Sequence, residues 1–238
     1  MLKDKILNRE AGILLYGMTP PKENTDIAKV SEIASKHMDR IKSLDIDGVV
    51  LYDIQDESAR NEDARPFPFL PTFEPQKYSG DFLEGLDLPK VLFQVVGKHD
   101  EVSLRTWMNK NVNNGDLAVF IGNSSSAQAT DITMNKAFSL RSEYADSMLI
   151  GGVAIPERHY AKKDEHLRIA SKINNGVSFF TTQAVYNVEA SKNMLSEYYY
   201  HSKKNNLPLV PIMMTFSPCG STKTMDFMKW LGIHFPKW

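Results

Sequence analysis

The sequence contains a single cysteine, Cys219, among 238 residues, so the chain can form no internal disulfide. One lone thiol suits a reducing compartment. Charge of either sign is also not in surplus: 28 basic residues against 29 acidic ones leave a net −1. Without a basic excess to neutralise phosphates, nucleic-acid binding is not expected. No stretch approaches the ~18 apolar residues that a membrane span needs. Lys3, Asp4, Lys5, Arg9 and Glu10 leave no room for the apolar segment of a secretory signal. These absences predict a cytoplasmic protein without membrane contact. An apolar share of 42% with almost no net charge excludes an intrinsically disordered chain.

What the chain does have is a recurring alternation. Short runs rich in Val, Ile, Leu and Phe appear at 13–16, 48–54, 91–97, 117–122, 148–155, 179–185 and 209–216. Continuous apolar runs suit strands covered on both faces of a parallel sheet. Between most of them lie segments with helical period: 25–44, 102–109, 131–144, 163–174, 190–205 and 222–231. Asp26 and Asp131 stand where helix caps belong. Strand–helix alternation predicts βαβ units with right-handed crossovers. The fold is therefore a (β/α)8 TIM-type barrel or a doubly wound sheet, in one domain over 1–238. No GxGxxG follows any strand, which disfavours a dinucleotide-binding Rossmann fold. The one long irregular stretch, 61–79, holds Arg65-Pro66-Phe67-Pro68-Phe69-Leu70-Pro71 and follows a strand directly.

In such folds the chemistry sits beyond the carboxyl ends of the strands. Those ends carry polar residues: Lys22, Asp53, Gln55, His99, Asn123, His159, Gln183, Tyr186 and Ser221. Gly122-Asn123-Ser124 fits a backbone phosphate cradle or an ordinary turn with a helix cap. His159 reads equally as a ligand contact or a capping histidine. Glu157, Arg158 and Lys172 read first as surface ion pairs. Gln183 closes an apolar run, and a buried amide there needs partners. His99 with Asp100 and Glu101 lacks a second histidine at ligand spacing, so no metal is expected. Cys219 has no accompanying Cys/His signature, and no catalytic residue is assigned.

Four segments, in their order and spacing, resemble the methylenetetrahydrofolate reductase family: Thr19-Pro20-Pro21-Lys22, Pro156-Glu157-Arg158-His159, Gly176 to Gln183, and the tail from Leu207 to Pro236. The resemblance implies a TIM-type barrel with FAD on its rim, NADH or NADPH as electron donor, and reduction of 5,10-methylenetetrahydrofolate to 5-methyltetrahydrofolate. It implies flavin contacts at His159, Glu165, Lys172 and Asn123, and folate contacts at Gln183 and Tyr186. Two positions depart from it. Gly17 stands where the family has its catalytic glutamate, and Asn123 where it has an aspartate. These departures favour the alternatives: a folate- or flavin-binding barrel without catalysis, or a folate-dependent methyl-transfer enzyme. The residues Gly232-Ile233-His234-Phe235 supply a short eighth strand, or the barrel is incomplete or atypically closed at its C-terminal end. An open edge implies a homo-oligomer.

Overall fold

The computed structural model describes residues 1–58, 63–123 and 131–236. Asn61 and the Ser124–Ser126 part of the proposed phosphate cradle lie outside the described residues. The chain forms two compact units, Met1–Asp56 with Phe69–Leu149, and Glu57–Pro68 with Ile150–Trp238.

The first unit runs α1 (Leu2–Leu7), β1 (Leu15–Met18), α2 (Ile27–Ile41), β2 (Gly48–Leu51), α3 (Pro75–Phe82), β3 (Lys90–Val95), α4 (Glu101–Asn114), β4 (Leu117–Ile121) and α5 (Met134–Tyr144). Its strands are parallel and lie in chain order, with Gly17 beside Val50, Val50 beside Val91 and Leu92 beside Ala118. Helix α2 starts where Asp26 accepts from the Ala28 and Lys29 N–H groups, and it buries Val30, Ala34 and Ile41 along one stripe. A cap of this kind contributes about 1 kcal/mol. Helix α4 opens with a reciprocal Asp100–Ser103 capping box. Phe120 of β4 packs between Trp107 of α4 and Phe138 of α5, both at 6.2 Å between centroids. This contact identifies the helix-covered face of the strands.

The second unit holds β5 (Ile150–Ala154), α6 (Pro156–Lys162), α7 (Glu165–Asn174), β6 (Val177–Ala184), α8 (Val188–Lys204), β7 (Ile212–Thr215) and α9 (Thr222–Trp230). Val153 pairs with Thr181, and Thr181 with Met213, again parallel and in chain order. Part of the Pro-rich stretch docks on α9. Phe67 lies 4.6 Å from Phe227, the Arg65 guanidinium sits over the Phe227 ring, and Trp230 Nε1 donates to the Asp63 carbonyl at 2.8 Å. Aromatic and cation–π contacts substitute for the secondary structure this segment cannot form.

The fold is thus α/β with seven parallel strands. Chain-order winding within each unit is that of a TIM-type barrel, not of a doubly wound sheet. The eightfold closure needs correction: among the described residues no strand follows β7. Gly232 takes φ +85°, and the Ile233 N–H turns back to the Met228 carbonyl at 3.0 Å, so 232–235 wraps the end of α9 and forms no ladder. Among the described residues no helix is long and apolar enough to cross a membrane.

Candidate functional site

In the first unit, Gln94 pairs with Phe120 and so shares its helix-covered face, while Phe93, paired with Val119, lies on the opposite face. That opposite face carries Tyr52, whose ring meets Phe93 edge-on at 4.8 Å. The Tyr52 ring also explains Gly17. A Cβ there would lie 2.8 Å from Tyr52 Cε2 and 2.9 Å from its oxygen. The Tyr52 ring, just beyond β2, therefore fills the space at Gly17, where the reductase family has a carboxylate. Gly17→Ala is expected to cost about 1 kcal/mol through this overlap. Urea denaturation checks it, with Tyr52→Ala expected to remove the cost in the double variant.

At the end of β2, Asp53 accepts from the Val95 N–H at 2.8 Å and from the Lys98 ammonium, which also donates to the Ile54 carbonyl at 2.8 Å. Burial pushes the Asp53 carboxyl up, against the opposing pull of Lys98. Its oxygens are committed to holding the β2 and β3 ends together. The Asn123 amide packs against the Gly97 backbone, in the space a side chain at 97 would need. Gln55 Nε2 donates to the Gly122 carbonyl at 3.1 Å. Burial lowers the His99 pKa, and its ring meets the Ser103 hydroxyl at 3.2 Å.

In the second unit the candidate residues fall into two groups. One group occupies the layer between the strands and their helices. Glu165, at the start of α7, is fully buried. It accepts from the Ile155 N–H at 3.0 Å and from Arg158 at 2.9 Å. Lys172 stands two turns further along α7 and donates to the Val153 carbonyl at 2.7 Å. Its stem crosses Gly152, where a Cβ would come within 3.2 Å of Lys172 Cδ. Arg158 and Lys172, read from the sequence as surface ion pairs, are thus tied to a buried carboxylate and a strand carbonyl. His159 is also buried, facing His166 at 5.5 Å between ring centroids, and neither ring nitrogen has a hydrogen-bond partner among the described residues. Burial, followed by His166, lowers its pKa.

The other group lies beyond the ends of β5 and β6, around the segment that follows α9. Gln183 Nε2 donates to the Leu231 carbonyl at 3.2 Å. The Tyr186 ring lies 4.3 Å from Phe235, and its hydroxyl donates to the Ser217 carbonyl. Asn187 caps α8 through the Ala190 N–H and places its amide nitrogen 3.0 Å from His234 Nδ1. Tyr160 stacks on the His234 ring at 6.2 Å and 14°. Glu157 faces the His234 backbone N–H, while its buried Oε2 has no hydrogen-bond partner among the described residues; burial pushes this carboxyl up. Phe216, at the end of β7, is 78% exposed. Gln183 and Tyr186 therefore share a neighbourhood with Glu157, Tyr160, Asn187 and His234, while His159, Glu165 and Lys172 belong to the helix layer. Sequence reasoning placed Asn187 among the rim polars beyond β6, passed over Tyr160 and His234 as site groups, and took Glu157 first for a surface ion pair. The available signal was Pro156, a favoured first helical residue that opens α6 directly after β5 and places Glu157 in its first turn.

No protein-family model and no curated protein matches the chain. Among solved structures, an uncharacterized protein from Clostridium thermocellum that binds two copies of 5-methyl-5,6,7,8-tetrahydrofolic acid is 49% identical over 100% of this chain and 76% of its own, with a TM-score of 0.85. Far more distant are 2,3-dimethylmalate lyase, a PEP mutase/isocitrate lyase superfamily member, and oxaloacetate acetylhydrolase. Both are 8% identical, with TM-scores of 0.52 and 0.51. They cover 95% and 97% of this chain and 76% of their own, and they show the fold alone. The resemblance to methylenetetrahydrofolate reductase is overturned: its short, separate motifs find no matching family model, whereas the identity to the Clostridium protein runs the length of the chain. FAD and a nicotinamide donor had been implied by that resemblance only. The chain belongs to the family of this Clostridium thermocellum protein.

Proposed function

We propose that this protein binds a reduced folate of the 5-methyltetrahydrofolate type without carrying out the reduction that forms it from 5,10-methylenetetrahydrofolate. The observation that carries this is the 49% identity, across the whole chain, to a protein that binds two copies of that ligand. The chemistry of the β5–β7 ends supports it. A pterin is a flat ring whose edge alternates donors and acceptors. Gln183 offers an amide with both functions, and Tyr186 and exposed Phe216 offer ring faces. Binding without reduction is supported at the end of β1. Gly17 brings no acid there, its space is filled by Tyr52, and the neighbouring Asp53 is held by Lys98 and the Val95 N–H.

Isothermal titration of the purified protein with 5-methyltetrahydrofolate tests the reading. Saturable binding is expected, with no consumption of 5,10-methylenetetrahydrofolate when reductant is supplied. Gln183→Ala should weaken binding by about 1–3 kcal/mol, because the ligand edge loses a buried partner. Absence of binding at millimolar ligand would reject the folate assignment, and catalytic turnover would reject its non-reducing character.

A further inference from the structure

The segment Leu231–Phe235 meets the ends of β5 and β6 with a particular set of groups. Leu231 supplies a carbonyl to the Gln183 amide, and His234 turns its backbone N–H towards the Glu157 carboxylate and brings a ring nitrogen to the Asn187 amide. The flat imidazole of His234 lies nearly parallel to the Tyr160 ring. A pterin edge carries the same inventory: a carbonyl oxygen, ring N–H and amino donors, an unprotonated ring nitrogen and a flat π face. The segment has one buried side chain. Ile233 is its buried anchor at 4% exposure, while His234 is exposed. Among the described residues Glu157 Oε2 is buried without a hydrogen-bond partner. A ligand bringing two donors side by side, as the 2-amino group and adjacent N–H of a pterin do, would engage both carboxylate oxygens.

We propose that Leu231–Phe235 is an internal stand-in for the pterin, and that Glu157, Asn187, Gln183 and Tyr160 bind the folate ring once this strap is displaced. The inference rests on the folate reading above and adds the residues and the regulation of that site. Ligand contacts at Gln183, Asn187 and Tyr160 replace existing contacts to the strap, so the apparent affinity is reduced by the population in which the strap is seated.

The test is titration of the full chain and its variants with 5-methyltetrahydrofolate. His234→Ala removes the imidazole from Tyr160 and Asn187, and affinity should rise by about fivefold or more as the competing state is weakened. Phe235→Ala, which frees Tyr186, should act in the same direction. In the His234→Ala background, Glu157→Gln should lower affinity by about tenfold or more through loss of the charged acceptor. Hydrogen exchange at the 232–235 amides should accelerate when ligand binds the native chain. Folate binding with unchanged affinity in both strap variants, and no change in exchange, would overturn the stand-in while leaving the folate reading intact. Failure of the native chain and of both strap variants to bind would overturn both.

Discussion

Replacing Glu165 with alanine should destabilise the protein by about 3–4 kcal/mol, the scale of a buried charge network that loses one partner. The carboxylate is fully enclosed and serves three groups. One oxygen accepts from the Ile155 N–H, where the chain leaves β5, and the other from Arg158. Its charge also raises the Lys172 pKa against the lowering effect of burial. Truncation leaves an N–H unpaired and two cations without a counter-charge. Glu165→Gln preserves an oxygen for the Ile155 N–H and removes only the charge, so it should cost roughly half as much. Chemical denaturation at neutral pH measures both. A loss below about 1 kcal/mol for Glu165→Ala would mean that the network is solvated and that Arg158 turns outward.

This network shows why the helix layer was only partly legible in the sequence. The apolar runs announced every strand, because a strand covered on both faces must be apolar throughout, and helical period announced α2, α4, α5, α7, α8 and α9. Helices α3 and α6 were hidden by their own first residues. Pro75 and Pro156 read as breakers within loops, yet each occupies the first turn, where proline lacks nothing the helix needs. Glu165 and Arg158 stand seven residues apart on different helices, and their pairing depends on the turn at Lys163, which takes φ +56°. No local pattern encodes that.

The site had a similar limit. Gln183 was recognisable as an amide closing an apolar run, but its partner is the Leu231 carbonyl, 48 residues away. Two other rim polars have local duties. Asn187 caps α8, and Ser221 caps α9 through the Thr224 N–H. Residue type alone does not separate a cap from a ligand contact, since both need a short side chain with an oxygen beside free N–H groups. Of the two alternatives for 232–235, the short eighth strand failed for a comparable reason. Its apolar residues belong to the C-terminal wrap of α9, where Gly232 supplies the left-handed turn and Ile233 the buried anchor.

Lys172→Met should stabilise the protein by about 2 kcal/mol at pH 7, and the gain should vanish as the pH rises. Burial lowers the Lys172 pKa from the ordinary 10.5 to about 8, with Glu165 opposing and Arg158 and Arg168 assisting the shift. Between those two values the unfolded chain binds more protons at this residue than the folded one does. Stability therefore rises with pH across that window, and below pH 8 the folded state bears the full cost, about 3 kcal/mol. Methionine keeps an unbranched stem over Gly152 and Phe180 without a charge to bury, but it loses the bond to the Val153 carbonyl, about 1 kcal/mol. Other groups titrate above pH 9, so the quantity to measure is the difference between variant and native protein in denaturation experiments at pH 7, 8.5 and 10. That difference should shrink steadily towards zero or change sign. A variant less stable than the native protein already at pH 7 would show that the ammonium, held between the Val153 carbonyl and Glu165, contributes more to joining α7 to β5 than its desolvation costs.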